Sequence, residues 1–402
     1  MSNLRYADRV QYMHDTAIYM RGLFDNMTDP NMKSFGGGAP AKEVLPMDYI
    51  SKFASEVLSR EGRGLEAFQY SATFGLQDLR EAVCEHLLNP TGIDAKPENI
   101  QITSGGLETM CLTCELFISP GDVIITEAPT FIHITDTFNM FQAKLVPAEC
   151  DEGGMIIEDV EKKIKEYDAK MVYVVPTFNN PTGRTLSVER RKALAELGSK
   201  YNVIILEDDP YRDVRYSGDV VPAIRSFDKT GNTIMACSFS KIFAPGSRLG
   251  YAVADEDVIY ALRDAKIAIN SQPPGISEVL CAEVFKGGYY EENLKKICAS
   301  YRQRRDVMTE TMDRCFPKSV KRTQRDGGYY DWATFPEGFD CSELKKKAEE
   351  KKFTFLSGGD WFPNAGDKYK NTARFNFTTL PPETIKEGIE TIGAIAREML
   401  GE

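Results

Sequence analysis

Between residues 100 and 255 the chain alternates short apolar runs, rich in β-branched residues, with longer amphipathic stretches. The runs occupy 100–103, 123–126, 171–175, 203–206, 233–237 and 251–254, and intervening stretches such as 187–200 carry Leu and Ala at helical spacing among charges. Strand, helix and strand repeated in this way constrain the chain to an α/β fold: a mostly parallel central sheet with helices on both faces. Ligands in such folds sit beyond the carboxyl ends of the strands, so the residues that follow each run are the ones that matter for function.

A second region begins near residue 286. The stretch 289–315 is long, charged and periodic, and it is followed by a strand-like piece at 327–332, a helix, a Gly-rich loop at 357–359, a strand at 374–377 and a terminal helix from Pro382. This reads as a smaller α+β domain. The expected division is an N-terminal arm at 1–45 contributing to the small domain and the site entrance, a large domain at 46–285 and a small domain at 286–402, joined by a continuous helix.

Composition narrows the function classes. The 402 residues include 49 Lys and Arg against 60 Asp and Glu, a net charge of −11, without the basic footprint of a nucleic-acid or anionic-membrane binder. Nine Cys cannot all pair within one chain, and reduced thiols are expected. The N-terminus has no uninterrupted apolar core, and no run approaches ~18 apolar residues, so a cytoplasmic protein without a membrane span is expected. His14, His86 and His133 fall in no HExxH frame, which argues against a zinc hydrolase; no metal is expected.

After the run at 100–103 comes Ser104-Gly105-Gly106-Leu107-Glu108, a small-residue turn opening a helix. Such a turn lets backbone N–H groups approach an anion at the helix N-terminus, or is simply a tight turn. It lacks the GxGxxG of a nicotinamide dehydrogenase. After 171–175 comes Pro176-Thr177-Phe178-Asn179-Asn180-Pro181-Thr182-Gly183, and after 203–206 comes Glu207-Asp208-Asp209-Pro210-Tyr211. Three successive acids at the end of a buried strand are either solvated loop residues or include one that faces a cation or protonated group. After 233–237, Lys241 stands among Phe239, Ile242, Phe243, Ala244 and Pro245, surroundings that depress an amine's pKa and leave it nucleophilic, with Ser238 and Arg248 close in sequence.

Amide turn, Asn-Pro-x-Gly, acid with tyrosine, and lysine with an arginine seven residues on follow one another in that order. This resembles the fold type I pyridoxal-phosphate aminotransferases, in particular the class I/II subgroup containing aromatic, 2-aminoadipate and kynurenine aminotransferases. The likeness spans nearly the whole chain, from Ser34-Phe35-Gly36-Gly37-Gly38 through Gln69-Tyr70-Ser71 to Ala373-Arg374-Phe375.

The resemblance implies pyridoxal 5'-phosphate as cofactor, Lys241 as the lysine that holds it as a Schiff base and shuttles the substrate proton, and Asp208 as the partner of the pyridine nitrogen. It implies Asn180 and Tyr211 at the phenolic oxygen, with Arg248, Ser238 and the amides of Gly105, Gly106 and Leu107 at the phosphate. Phe131 stacks on the ring, Arg374 with Asn180 and Gly38 binds the substrate, and Tyr70 reaches the phosphate of a second subunit in a homodimer. Two departures stand out: Gly106-Leu107 where many relatives have Ser-Gln, and Phe131 where Tyr is frequent. The implied reaction moves an amino group from an L-amino acid to a 2-oxo acid, with 2-oxoglutarate the expected acceptor. A β-lyase or decarboxylase of the same fold is the alternative. A ligand sensor is the weaker one, since about 35 residues before the Gly36-Gly37-Gly38 segment leave little room for a helix-turn-helix domain.

Overall fold

The computed structural model describes residues 4–13, 31–59, 61–323, 325–363 and 366–402. His14 and the stretch 14–30 of the expected N-terminal arm lie outside the described residues. Seven strands form the large sheet: β1 (Ile100–Thr103), β2 (Val123–Thr126), β3 (Lys144–Pro147), β4 (Met171–Val174), β5 (Ile204–Asp208), β6 (Thr233–Ser238) and β7 (Gly250–Val253). Their order across the sheet is β1-β7-β6-β5-β4-β2-β3. β7 runs antiparallel to both its neighbours, and the other pairings are parallel.

Helices cover both faces. On one, α1 (Gly106–Phe117), α2 (Ile132–Met140) and α4 (Glu256–Ile269) bury Leu112, Phe138 and Leu262 against Tyr173, Leu206 and Ile234. On the other, α3 (Val188–Tyr201) buries Leu194 and Leu197 against Val172, Val174 and Ile205. Strand parity decides this split: successive residues of β4 and β5 point to opposite faces.

Three local expectations change. The edge strand β3 is absent from the predicted runs because its residues, Lys-Leu-Val-Pro, are partly exposed and end on a proline that only an edge tolerates. β5 continues two residues beyond the predicted 203–206, so Glu207 and Asp208 belong to the strand itself. The expected continuous helix at the boundary is two helices, α5 (Gly275–Lys286) and α6 (Tyr289–Cys315), broken at Gly287 and Gly288; Gly288 has φ +71°, a left-handed conformation that ends helical propagation.

C-terminal to that break, β8 (Lys321–Arg322), β9 (Tyr330–Thr334), β10 (Leu356–Ser357) and β11 (Thr372–Asn376) form an antiparallel sheet in the order β8-β9-β11-β10, accompanied by α6, α7 (Cys341–Glu350) and α8 (Pro382–Leu400). The segment Lys33–Ser34 pairs with Phe353–Thr354, and buried Phe35 packs on the rings of Phe353 and Phe375. This docking carries Gly36, Gly37 and Gly38 to the mouth of the large sheet. On β9 the parity alternates again: Tyr330 and Trp332 lie on one face, while Asp331 turns to the other. There Asp331 pairs with buried Arg325 at 2.7 Å and with Arg322 at 3.1 Å. Asp331→Asn is expected to lower stability by about 3 kcal/mol by leaving Arg325 without its counter-charge, read as a fall in the urea midpoint at unchanged slope.

Candidate active site

The carboxyl ends of β1, β4, β5 and β6 surround a cavity of ≈ 170 Å³ lined by Gly106, Leu107, Phe131, Asn180, Asp208, Tyr211, Ser238, Lys241 and Arg248, among others. Nine of the residues singled out by sequence are therefore brought to one place. Gly105 adjoins them: its φ is +94°, and a Cβ there would lie 2.5 Å from Arg248 Nη2. Gly250 is equally constrained, because a Cβ would lie 2.6 Å from the Gly106 amide nitrogen. The turn at Ser104 is pinned from the protein side, where Glu108 accepts from the Ser104 N–H at 2.6 Å and from the fully buried Lys266 ammonium at 2.7 Å. Ser238 Oγ accepts from the Ser240 N–H at 3.2 Å and caps the short turn that carries Lys241.

Lys241 Nζ donates to the Gly38 carbonyl at 2.6 Å, and its ammonium stands 5.0 Å from the Tyr329 ring centroid. Burial lowers its pKa to about 8; Arg374 and Arg248 push in the same direction, against Asp208. All three acids at the end of β5 are buried, so the solvated-loop alternative is excluded. Each has its own partners. Glu207 accepts from the Ile224 and Arg225 N–H groups at 2.8 and 2.9 Å, Asp208 accepts from the Tyr173 hydroxyl at 2.6 Å, and Asp209 faces Arg212. Burial raises the Asp208 carboxyl to about 7, with the Tyr173 bond and Lys241 pulling it down and Asp209 pushing it up.

Arg374 is 3 % exposed and lies opposite Trp332 across the β9–β11 pair. Its Nη1 donates to Asn180 Oδ1 at 2.7 Å, and its Nη2 donates to the carbonyls of Gly36 and Gly37. Its guanidinium is sandwiched between the rings of Tyr330 and Trp361, 4.1 and 4.6 Å from their centroids. The Tyr211 hydroxyl lies 3.2 Å from that of Tyr330. Gly38 must stay side-chain-free, since a Cβ would meet the Tyr330 hydroxyl at 2.6 Å. Tyr70 is the one singled-out residue that stands apart, 86 % exposed beside exposed Phe68 and Leu65.

Sequence reasoning missed Tyr173, Tyr330 and Glu127. Glu127 is buried where β2 ends and accepts from the Val175 N–H and from Asn179 Nδ2, both at 2.8 Å, which fixes the turn carrying Asn180. Only its position, directly after an apolar run, could have drawn attention to it.

A strand-end cavity thus joins a buried amine, a buried acid and a glycine turn that opens a helix, a set suited to a bound phosphorylated ring. Comparison with known proteins agrees. Residues 46–392 match the family Aminotransferase class I and II. Aromatic-amino-acid aminotransferase 1 of Thermococcus litoralis is 36 % identical over 97 % of this chain and 95 % of its own. The structure of Pyrococcus horikoshii kynurenine aminotransferase in complex with PMP superposes with a TM-score of 0.89, at 33 % identity over 98 % of this chain and 99 % of its own. That of alpha-aminoadipate aminotransferase from Thermus thermophilus, complexed with N-(5'-phosphopyridoxyl)-L-leucine, gives 0.89 at 28 % identity over 98 % of both chains. The chain belongs to the class I and II aminotransferases. It is a pyridoxal-phosphate-dependent enzyme of amino-group transfer.

Gly250→Ala is expected to destabilise the chain by about 2 kcal/mol, because the new methyl group meets backbone that cannot retreat. It should also weaken retention of pyridoxal phosphate through the displaced Gly105-Gly106 turn, checked by dialysis and thermal unfolding. In the cofactor-free protein, the rate of Lys241 acylation should rise with pH through a midpoint near 8, the pH at which the buried amine loses its proton; a midpoint near that of an ordinary lysine would contradict the buried setting.

Proposed function

We propose that the enzyme transfers the amino group of an aromatic L-amino acid to 2-oxoglutarate in two half-reactions, with Lys241 both anchoring the cofactor and carrying the proton. The observation that carries this reading is the facing pair in one cavity: an amine brought down to about 8 and an acid brought up to about 7. Groups poised near neutrality are what proton transfer requires.

The residues fit the cofactor. A Cβ at Gly105 would displace the Arg248 guanidinium and one at Gly250 the Gly105-Gly106 backbone, so both glycines let the donors for a phosphate gather: Arg248, Ser238 and the amides of Gly105, Gly106 and Leu107. Asp208 would hold a proton at the pyridine nitrogen, Asn180 and Tyr211 would donate to the phenolic oxygen, and Phe131 would supply a face for the ring. When bound, pyridoxal phosphate supplies the electron sink that makes the substrate's Cα proton removable. Lys241 Nζ takes that proton and returns it. Arg374 Nε is buried without a hydrogen-bond partner among the described residues, a donor suited to the substrate carboxylate, with Gly38 bounding the same space. The aromatic wall of Tyr330, Trp332 and Trp361 beside it, together with the aromatic-acid and kynurenine enzymes among the relatives, supports an aromatic donor.

Tyr70, with Phe68 and Leu65, lies on an exposed apolar surface suited to a homodimer in which Tyr70 reaches the partner's cofactor phosphate. Sedimentation should then give twice 45.1 kDa, and Tyr70→Phe should loosen cofactor retention without dissociating the dimer.

The central test is Lys241→Ala, which should abolish the borohydride-trappable link to pyridoxal phosphate; a surviving link would overturn the assignment. Asp208→Asn should keep the cofactor but slow Cα deprotonation. Arg374→Lys should raise KM for amino and 2-oxo acids alike by roughly ten- to a hundredfold, the loss of about 1.5–3 kcal/mol of charged hydrogen bonding. Amino acids assayed singly should convert the cofactor to its amine form. Release of pyruvate and ammonia without that conversion would instead identify a lyase.

A further inference from the structure

Tyr173 is fully buried inside the large sheet and is not among the residues lining the cavity. The register of β4 and β5 sets it opposite Leu206, and Asp208, two residues further along the same face, is its diagonal neighbour. A tyrosine is long enough to span that diagonal, and its hydroxyl donates to Asp208 Oδ2 at 2.6 Å, a charge-assisted distance. The ring cannot swing away, because Phe138 packs edge-on against it with centroids 5.4 Å apart. Asp208 itself lines the cavity. One carboxyl oxygen is thus gripped from inside the sheet, while the residue faces the cofactor space.

We propose that Tyr173 is a positioning residue of the transamination site: its hydroxyl locks the rotation of the Asp208 carboxyl and presents the second oxygen to the pyridine nitrogen. This rests on the role given to Asp208 above. The hydroxyl also stabilises the charged form. Of the groups facing Asp208, Asp209 just past the end of β5 disfavours the anion and Lys241 beyond β6 favours it; Glu127 directly after β2 and Tyr211 on the turn after β5 face it as well. Burial alone works against the anion, and Tyr173 is the hydrogen-bond donor that offsets it from the core. Without that hydroxyl, Oδ2 is left in the sheet with no donor, the carboxyl shifts toward its neutral form, and the pyridine nitrogen gives up its proton at lower pH.

The test uses holoenzyme loaded with pyridoxal phosphate labelled with nitrogen-15 at the ring, its chemical shift followed against pH. In Tyr173→Phe the protonation midpoint should fall by about one pH unit, a tenfold change in the equilibrium. Installing para-aminophenylalanine at position 173 restores an N–H donor on the same ring and should bring the midpoint back toward the native value. An unchanged midpoint in a Tyr173→Phe enzyme that still carries the cofactor on Lys241 overturns the proposal. So does a para-aminophenylalanine enzyme whose midpoint lies about a full pH unit or more below the native one, and this second variant decides the matter if the phenylalanine variant does not fold. Absence of a trappable link at Lys241 in the native enzyme would instead overturn the functional reading on which this proposal rests.

Discussion

One buried cation ties the N-terminal glycines and the Asn180 loop to the C-terminal sheet at the mouth of the large sheet. Arg374 comes from the C-terminal sheet, yet its donors go to Asn180 on the loop after β4 and to Gly36 and Gly37 on the N-terminal segment. A guanidinium taken out of water needs acceptors and a polarisable surround, and here three distant parts of the chain supply them, with Tyr330 and Trp361 closing above and below. The requirement to satisfy this group therefore brings the N-terminal glycines and the Asn180 turn together. Gly38, the next residue along, then receives the Lys241 ammonium.

The same burial sets the chemistry. Desolvation acts in opposite directions on a base and an acid, lowering Lys241 and raising Asp208, so that two groups whose ordinary values lie far apart are brought near the same pH. Arg374 and Arg248 add to the effect on the lysine, which means that the cations suited to a substrate carboxylate and a cofactor phosphate also lower the pH at which the amine gives up its proton. Anion binding and amine activation are one electrostatic arrangement. In a chain with a net charge of −11, it depends on a few cations and oriented backbone amides that composition does not reveal.

The six predicted runs all became strands because strands buried on both faces leave an unbroken apolar signature, whatever their direction, and residues that follow several of them were the ones that meet. What sequence could not show is what depends on register or parity. Tyr173 reads as one more apolar core residue until the pairing of β4 with β5 places it diagonal to Asp208. Glu207, Asp208 and Asp209 read as one acidic cluster, but alternation sends neighbouring side chains to different faces and to different partners. Asp331 is hidden likewise between Tyr330 and Trp332. The break at Gly287 and Gly288 was visible as two glycines but was outweighed by the helical periodicity on either side.

The first of the two departures at the site has a physical answer in the backbone around it. With Gly106-Leu107 in place of Ser-Gln, the turn offers only backbone N–H groups to a phosphate, and such a turn works only if its backbone is fixed. Glu108 supplies that fixing by accepting the Ser104 N–H, and Lys266 neutralises it from a fully buried position. Gly105 and Gly250 then let Arg248 and the strand β7 approach to distances that any side chain would prevent. Rigidity and close approach thus stand in for two polar side chains, and a phosphate held at this turn would depend more on glycine at 105 and 250 and on the Glu108–Lys266 pair than on any hydroxyl at position 106.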